Sequence, residues 1–346
     1  MTVAIASSPG KVILFGEHGV HRGVPNINTA VEMRTYCRVS VRSDSDYTFR
    51  SGERHEQGTR QQLLAFKTHT DRLRETKDIN AIVAIIQKDF YAPGRYVLSH
   101  IYSRVDGPGL DIIWKSHLPI GSGMGSGAAA NTAMACAAYA VFNQPISTEE
   151  IIFLGWQGDA IAHGGYGSSL DSSTCGLGSL IYYTLEEKAK LLPFNVNIPF
   201  VIGDTCIEHS TNQTNTHIRL WLEENSARLH VFGDMLYLLK PFLNALEAHD
   251  LQAIGHIFNL HQLLQDNMGV SIPESDRLIE AAIGAGAYGA KISGSGGGGI
   301  IIAIAEADRL TAVAKAIDSA GGRSYCVNTG AAGVRLEAPE VWASIA

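Results

Sequence analysis

The sequence predicts a protein of mixed strands and helices divided into two domains. Three observations lead there. Short β-branched apolar runs alternate along the chain with longer segments of helical apolar spacing. A length of 346 residues, 45% of them hydrophobic, gives enough apolar material for about two cores. Between Leu191 and Pro199 two prolines coincide with a change in polarity, which places the expected division at residues 1–192 and 193–346.

Taken in order, Lys11–Phe15 reads KVILF, a buried strand, and Gly16, Glu17 and His18 follow as a tight turn. Thr35–Val41 alternates and is expected to be a second strand. Ser51–Lys77 is polar without a clean period and reads as a long loop or a mobile flap. Ile79–Phe90 has helical spacing, and Leu110–Trp114 has strand character. Pro119–Gly127 is a glycine-rich turn that enters AAANTAMACAAYAVF, where repeated alanine favours helix. Ile151–His163 reads as another helix, followed by a Gly/Ser segment carrying Asp171 and a strand at Ser179–Tyr183. Past the division come a strand at Phe200–Gly203 and helices at Thr216–Leu222, Phe232–Glu247, Leu251–Leu264 and Ser275–Ala285. The run KISGSGGGG precedes an apolar strand, Ile300–Ala305, and a final helix and strand close the chain.

Bulk properties exclude several function classes. Lys and Arg total 27 against 34 Asp and Glu, a net charge of −7, which argues against non-specific nucleic-acid binding. A nucleotide ligand remains open, because a few backbone donors suffice to hold phosphates. The five cysteines are spread without a CxxC pair, so reduced, mostly buried thiols in a cytoplasmic protein are expected. No secretory leader is legible at the start of the chain. The apolar stretch Ala128–Phe142, interrupted by Asn131 and Thr132, is too short for a bilayer, so neither a membrane nor a nucleic acid is an expected partner.

Four segments carry the chemistry. In PIGSGMGSGAA (119–129) a glycine loop enters a helix, where free N–H groups and the helix dipole favour an anion such as phosphate. It is not a Walker A loop, since no Gly-Lys-Ser/Thr follows, and a turn that only permits tight packing is the alternative. In SPGKVILFGEH, Lys11 and Glu17 flank an apolar strand, where a charge is costly without a partner; ordinary strand-end and turn residues are the other reading. Asp171, in HGGYGSSLDSSTCGLGS, is either a turn former or a general base held near a ligand by short neighbours. Asp159, one helix earlier, is either solvated or a second carboxylate in the same cavity, and one carboxylate for metal with one for an acceptor hydroxyl suits phosphoryl transfer. Four consecutive glycines in AKISGSGGGG point to close backbone approach to a ligand or another loop, with a flexible hairpin as the alternative.

The order of these segments resembles the GHMP kinase family, and within it the mevalonate kinases. SPGKVILFGEHGVHRGVPNINTAV is similar to the opening PGKVILFGEH of mevalonate kinases, and PIGSGMGSGAA to the phosphate loop PxGxGLGSSAA. GDAIAHGGYGSSLDSSTCG resembles the segment ending in the family's catalytic aspartate, and GDTCIEHSTNQTNTHI a stretch of the form DTGxxxST. The run from Asn267 to Gly299 resembles the C-terminal motif and the helix before it.

The resemblance implies an α+β fold of two domains, the first like ribosomal protein S5 domain 2 and the second ferredoxin-like. It implies ATP and a small hydroxy acid, mevalonate, in the cleft between them, with Mg²⁺ accompanying the nucleotide. By matching position, the resemblance implies that Asp171 takes or orients the acceptor proton and that Lys11 stabilises the developing alkoxide and the transferred phosphoryl group. The resemblance further implies that Glu17, His18, Thr211 and His209 line the substrate side, with His18 placed to pair with the substrate carboxylate. By the same resemblance Gly121, Ser122, Gly123, Met124, Gly125, Ser126, Gly127 and Ala128 are expected to cradle the phosphates. Ser293, Gly294, Ser295, Gly296 and Gly297 are expected to close over the site. Homodimers are common in the family, so a homodimer is a further expectation.

The chain departs from the family at four places. The second serine of GLGSSAA, a magnesium ligand, is Gly127; its glutamate partner is Asp159; and the aspartate segment lacks the form PSG(I/V)DN and is one residue longer. His209 stands where the family often has arginine. Glycine has no side chain to ligate a metal, so Ser126 or water would have to substitute, and Ser126 and Asp159 are the expected protein ligands. Another GHMP member, acting on phosphomevalonate, the tertiary hydroxyl of mevalonate, homoserine or a sugar, or a related decarboxylase, is the nearest alternative. A silent nucleotide-binding protein is the alternative of another class.

Overall fold

The structure, a computed structural model, describes residues 2–119, 121–194, 197–208 and 211–345. The apolar run KVILF is the second half of a longer strand, β1 (Val3–Phe15), paired antiparallel with β2 (Asn26–Val41). Small polar residues extend β1 upstream because their hydroxyls are satisfied in the core: Ser8 Oγ donates to the Cys175 carbonyl at 3.2 Å and accepts from Thr132 at 2.8 Å.

The segment expected to be a loop or flap is ordered instead. After β3 (Tyr47–Ser51) the chain forms β4 (Arg54–Gly58) and α1 (Arg60–Glu75). A reciprocal capping box between Thr59 and Gln62 starts α1. Only Leu63 and Thr70 of that helix are buried, so few apolar positions mark it in the sequence. Next come α2 (Ile79–Lys88), α3 (Ala92–Tyr102), β5 (Leu110–Ser116), α4 (Ser126–Val141) and α5 (Thr148–Ala162). The Gly/Ser segment holds a short helix, α6 (Leu170–Leu177), with Asp171 in its first turn, ahead of β6 (Leu180–Thr184) and β7 (Lys188–Leu191).

Strand membership changes after β7. β8 (Pro199–Asp204) opens a second sheet, reached through α7 (Thr211–Glu224), α8 (His230–Glu247), α9 (Leu251–Asn267) and α10 (Pro273–Gly284) by β9 (Gly289–Ser293), then β10 (Ile300–Ile304), α11 (Leu310–Ser319) and β11 (Arg323–Asn328). Its order is β11-β8-β10-β9, fully antiparallel, the arrangement of a ferredoxin-like domain. The last strand, β12 (Arg335–Glu337), crosses back to pair with β1, so the first sheet runs β12-β1-β2-β5-β3-β4 with β6 and β7 attached through β2. Arg34 holds this return: its guanidinium donates at 2.7 Å to the carbonyls of Ala332 and Gly333 and to Ser7 Oγ.

α3, α4 and α5 cover one face of the first sheet over a core that includes Phe49, Leu98, Trp114 and Met134. A second core is shared between the two halves, joining Phe15 and Ile27 to Ile202, Phe242 and Phe258. Phe15 and Phe242 stack with ring centres 5.2 Å apart. The two halves therefore share one continuous apolar core. Cys37, Cys136 and Cys175 are buried, whereas Cys206 and Cys326 are exposed thiols. Among the described residues no helix is long and apolar enough to cross a membrane.

Candidate active site

The glycine loop before α4 is built for an anion. Gly121, Gly123 and Gly125 have φ of +77°, +85° and +71°, alternating with residues of negative φ, which turns successive N–H groups toward one side. α4 then begins at Ser126 with no side-chain cap, leaving its first-turn N–H groups free beside the positive end of the helix. Ser122 and Met124 are buried, so they contribute backbone rather than side chains. Lys11 is fixed to this loop, because its N–H donates to the Met124 carbonyl at 3.0 Å.

Lys11 and Asp171 meet here. The buried lysine Nζ lies 3.0 Å from Asp171 Oδ1 at the start of α6. Asp159, near the end of α5, is 8% exposed, and burial pushes its carboxyl up to about 6. His163 opposes that shift, with Nδ1 3.8 Å from Asp159 Oδ1 and donating to the Asp159 carbonyl at 2.8 Å. The Asp159 charge in turn raises the His163 pKa. His163 is absent from the sequence expectations, although its i, i+4 spacing to Asp159 on a helix is legible there.

The substrate-side expectations divide. His18 has φ +62° and its Nε2–H donates to the Ser295 carbonyl at 2.9 Å, joining the end of β1 to the second glycine loop. Burial lowers its pKa to about 4, and the hydrogen bond to the Ser295 carbonyl opposes that shift. Glu17 is withdrawn from the cleft, fully buried against Lys291, and does not line it. Thr211 is half-buried at the first position of α7, and a Cβ on Gly164, in the loop between α5 and α6, would lie 3.9 Å from the Nδ2 of its neighbour Asn212. His209 lies outside the described residues. In the second glycine loop, Gly294, Gly296 and Gly297 all have positive φ, and Gly297 N–H donates to the Val270 carbonyl at 2.8 Å. Ser293 Oγ sits between the N–H and carbonyl of Ile13, accepting from one at 2.9 Å and donating to the other at 3.0 Å.

The sequence alone points to no residues for a base. The structure supplies a cavity of about 230 Å³ lined by Phe90, Tyr91, Trp114, Gly94, Ser126 and Gly127, opening beside the first turn of α4. An apolar, aromatic slot next to a phosphate-type loop suits a planar heterocycle.

Comparison with known proteins agrees with this geometry. Residues 91–179 match the family model for the GHMP kinases N terminal domain, and residues 242–323 match that for GHMP kinases C terminal. The chain is 32% identical to a mevalonate kinase of Pyrococcus horikoshii, over 96% of this chain and 97% of that one. It belongs to the GHMP kinase family.

As a GHMP kinase it is an ATP-dependent enzyme that phosphorylates a hydroxyl group. Its fold is shared with the Methanococcus jannaschii mevalonate kinase, at 19% identity and a TM-score of 0.80 over 94% of this chain and 98% of that one. The L. major mevalonate kinase in complex with R-mevalonate shares it too, at 23% identity and a TM-score of 0.76 over 96% and 97%. Two of the four departures from the family pattern, Gly127 and Asp159, meet at one place. A Cβ on Gly127 would stand 4.0 Å from Asp159 Oδ1, so the missing hydroxyl and the shortened carboxylate face each other. No group of three or more metal-binding side chains occurs among the described residues. Mg²⁺ that arrives with ATP needs only one or two protein ligands, and a buried carboxylate beside an open helix start fits that demand.

Proposed function

We propose that this GHMP kinase transfers the γ-phosphoryl group of ATP to the primary hydroxyl of mevalonate. The observation that carries the reading is the Lys11–Asp171 pair, 3.0 Å apart beside the free N–H groups of α4. The acceptor is supported by the full-length likeness to mevalonate kinases.

In this reading the base of ATP occupies the slot formed by Phe90, Tyr91 and Trp114, and the phosphates run along Gly121–Ala128. Asp171 takes the proton of the acceptor hydroxyl as its oxygen bonds to the γ-phosphorus. The bond from that phosphorus to the bridging oxygen breaks, and ADP leaves with the electron pair. Lys11 faces the negative charge that spreads over the phosphoryl oxygens, where a placed cation helps most. Asp159 and Ser126 would hold the Mg²⁺ that comes with the nucleotide, which supplies neutralisation of the β- and γ-phosphate charge. The His18 ring, already committed to Ser295, forms a wall of the site and couples it to the second glycine loop.

The test is ADP release by the purified protein with Mg-ATP and mevalonate, beside phosphomevalonate and homoserine. Release with mevalonate alone is expected. Release only with another acceptor would overturn the substrate while leaving the kinase chemistry in place.

A further inference from the structure

Beneath the cleft lies a set of charges that phosphoryl transfer does not use. Glu17 follows β1, Lys291 lies in the middle of β9, and both side chains are 0% exposed. Lys291 Nζ donates to the Glu17 carboxylate, to the Ile292 carbonyl at 2.8 Å and to the Ile13 carbonyl at 3.4 Å. His261, on α9, brings Nε2 to 3.4 Å from the other Glu17 oxygen. That nitrogen accepts the Gly16 N–H at 3.2 Å, so it carries no proton, and the second oxygen of Glu17 receives no hydrogen bond from it. Burial favours the same neutral ring. Lys291 is therefore the charge that neutralises Glu17.

The contacts all fall on one joint. Lys291 and Ser293 of β9 and His261 of α9 grip residues 13–17, the end of the strand that carries Lys11. His18 is the next residue, and it holds Ser295 of the second glycine loop. One side of the joint thus leads to Lys11 in the first half of the chain, and the other to the loop that closes over the site.

We propose that Glu17 and Lys291 are a positioning pair that holds this joint and touches neither substrate. With either charge removed, the other is left buried and unneutralised, a strongly destabilising state. Its demand for water opens the joint and shifts Lys11 relative to the glycine loop. Removing both charges together removes that demand, since apolar residues of similar volume replace a buried ion pair at little cost.

The inference rests on the kinase reading above, and its test separates the two. Glu17→Leu, Lys291→Met and the double variant are compared with the unsubstituted protein by thermal unfolding without ligand and by ADP release with Mg-ATP and mevalonate. Each single variant is expected to lower Tm by roughly 5–10 °C. At 25 °C, where circular dichroism shows it still folded, each is expected to lower kcat about tenfold or more, with KM for both substrates within about threefold. The double variant is expected to regain Tm and return kcat to within about threefold of the unsubstituted enzyme.

A double variant that regains Tm but keeps the low kcat would overturn the proposal, because Glu17 would then act on the substrate itself. Single variants with lowered Tm and intact kcat would reduce the pair to a purely structural role and overturn it as well. Where a single variant fails to fold, the double variant decides alone. No ADP release by the unsubstituted protein with mevalonate would instead overturn the acceptor reading, and the same Tm and kcat comparison would then be made with the acceptor that does release ADP.

Discussion

Lys11 Nζ stands 3.0 Å from Asp171 Oδ1, a buried lysine on β1 facing a partly exposed carboxylate on α6. In the proposed reaction the pair divides the labour, Asp171 taking the acceptor proton and Lys11 facing the phosphoryl charge. Asp171→Asn is expected to lower kcat by about 10²–10⁴, the range for loss of a positioned base, while ATP affinity by calorimetry stays within about threefold. Lys11→Met is expected to lower kcat by about 10²–10³ through lost charge compensation. Turnover within about fivefold of normal in Asp171→Asn would remove the base from the mechanism.

Two glycines of the phosphate loop should respond in opposite ways. Gly125 has φ +71°, and a Cβ there would come within 2.9 Å of Lys11 Cγ. Gly125→Ala is expected to cost on the order of 1–2 kcal/mol from the left-handed backbone alone. It should also push Lys11 out of place and reduce kcat by more than the loss of folded protein explains.

Gly127 has room for a side chain, with Asp159 Oδ1 4.0 Å from the Cβ position as its nearest neighbour. Gly127→Ser is expected to hold or raise Tm, since serine is better than glycine inside a helix by up to about 0.5 kcal/mol. The added hydroxyl beside Asp159 should lower the Mg²⁺ concentration needed for half-maximal rate. A Mg²⁺ titration and a thermal melt on one preparation check both halves; a lowered Tm would mean that the space beside Asp159 is not open.

The same loops show why some of the site was legible in sequence and some was not. Backbone-driven features announce themselves, because clustered glycines cost conformational entropy on folding and persist beside an alanine-rich helix only where the backbone itself is used. α1 did not, since its polar composition leaves few apolar positions after the Thr59–Gln62 capping box to mark a helix. The capping-box spacing was there to be read. The burial of Glu17 could not be read locally, because its partner Lys291 lies 274 residues away. The aromatic slot is likewise assembled from the approach to α3, from β5 and from the start of α4, which no local periodicity brings together.

That slot gives a direct test of nucleotide placement. Phe90 is 45% exposed, with the Arg54 guanidinium 4.2 Å from its ring centre, so its removal should disturb the core little. Base–aromatic stacking is worth about 1–3 kcal/mol. Phe90→Ala is expected to raise KM for ATP about tenfold, with kcat and KM for mevalonate nearly unchanged and Tm within about 2 °C. Equal increases in both KM values would move the base elsewhere.

Acid sensitivity should be traceable to a histidine that the proposed reaction does not use. His100, on α3, has no hydrogen-bond partner at Nε2 and packs against Tyr96, with ring centres 4.6 Å apart. Burial, followed by the Lys67 charge, lowers its pKa from 6.5 to about 4, although Asp71 opposes the shift. The native state thus binds fewer protons than the unfolded chain between those two values. Stability is full above pH 6.5 and falls as pH drops through that window. His18, also lowered to about 4 by burial, adds a loss of the same sign. One pKa unit corresponds to about 1.4 kcal/mol, so His100 accounts for a loss on the order of 3 kcal/mol once pH is below its native pKa. His100→Leu removes that loss. Its Tm relative to the unsubstituted protein should therefore become more favourable as pH falls from 7 to 4.5, measured by thermal melts across the range. A constant offset at every pH would show that the ring does not titrate on unfolding, and would assign the acid sensitivity to other groups.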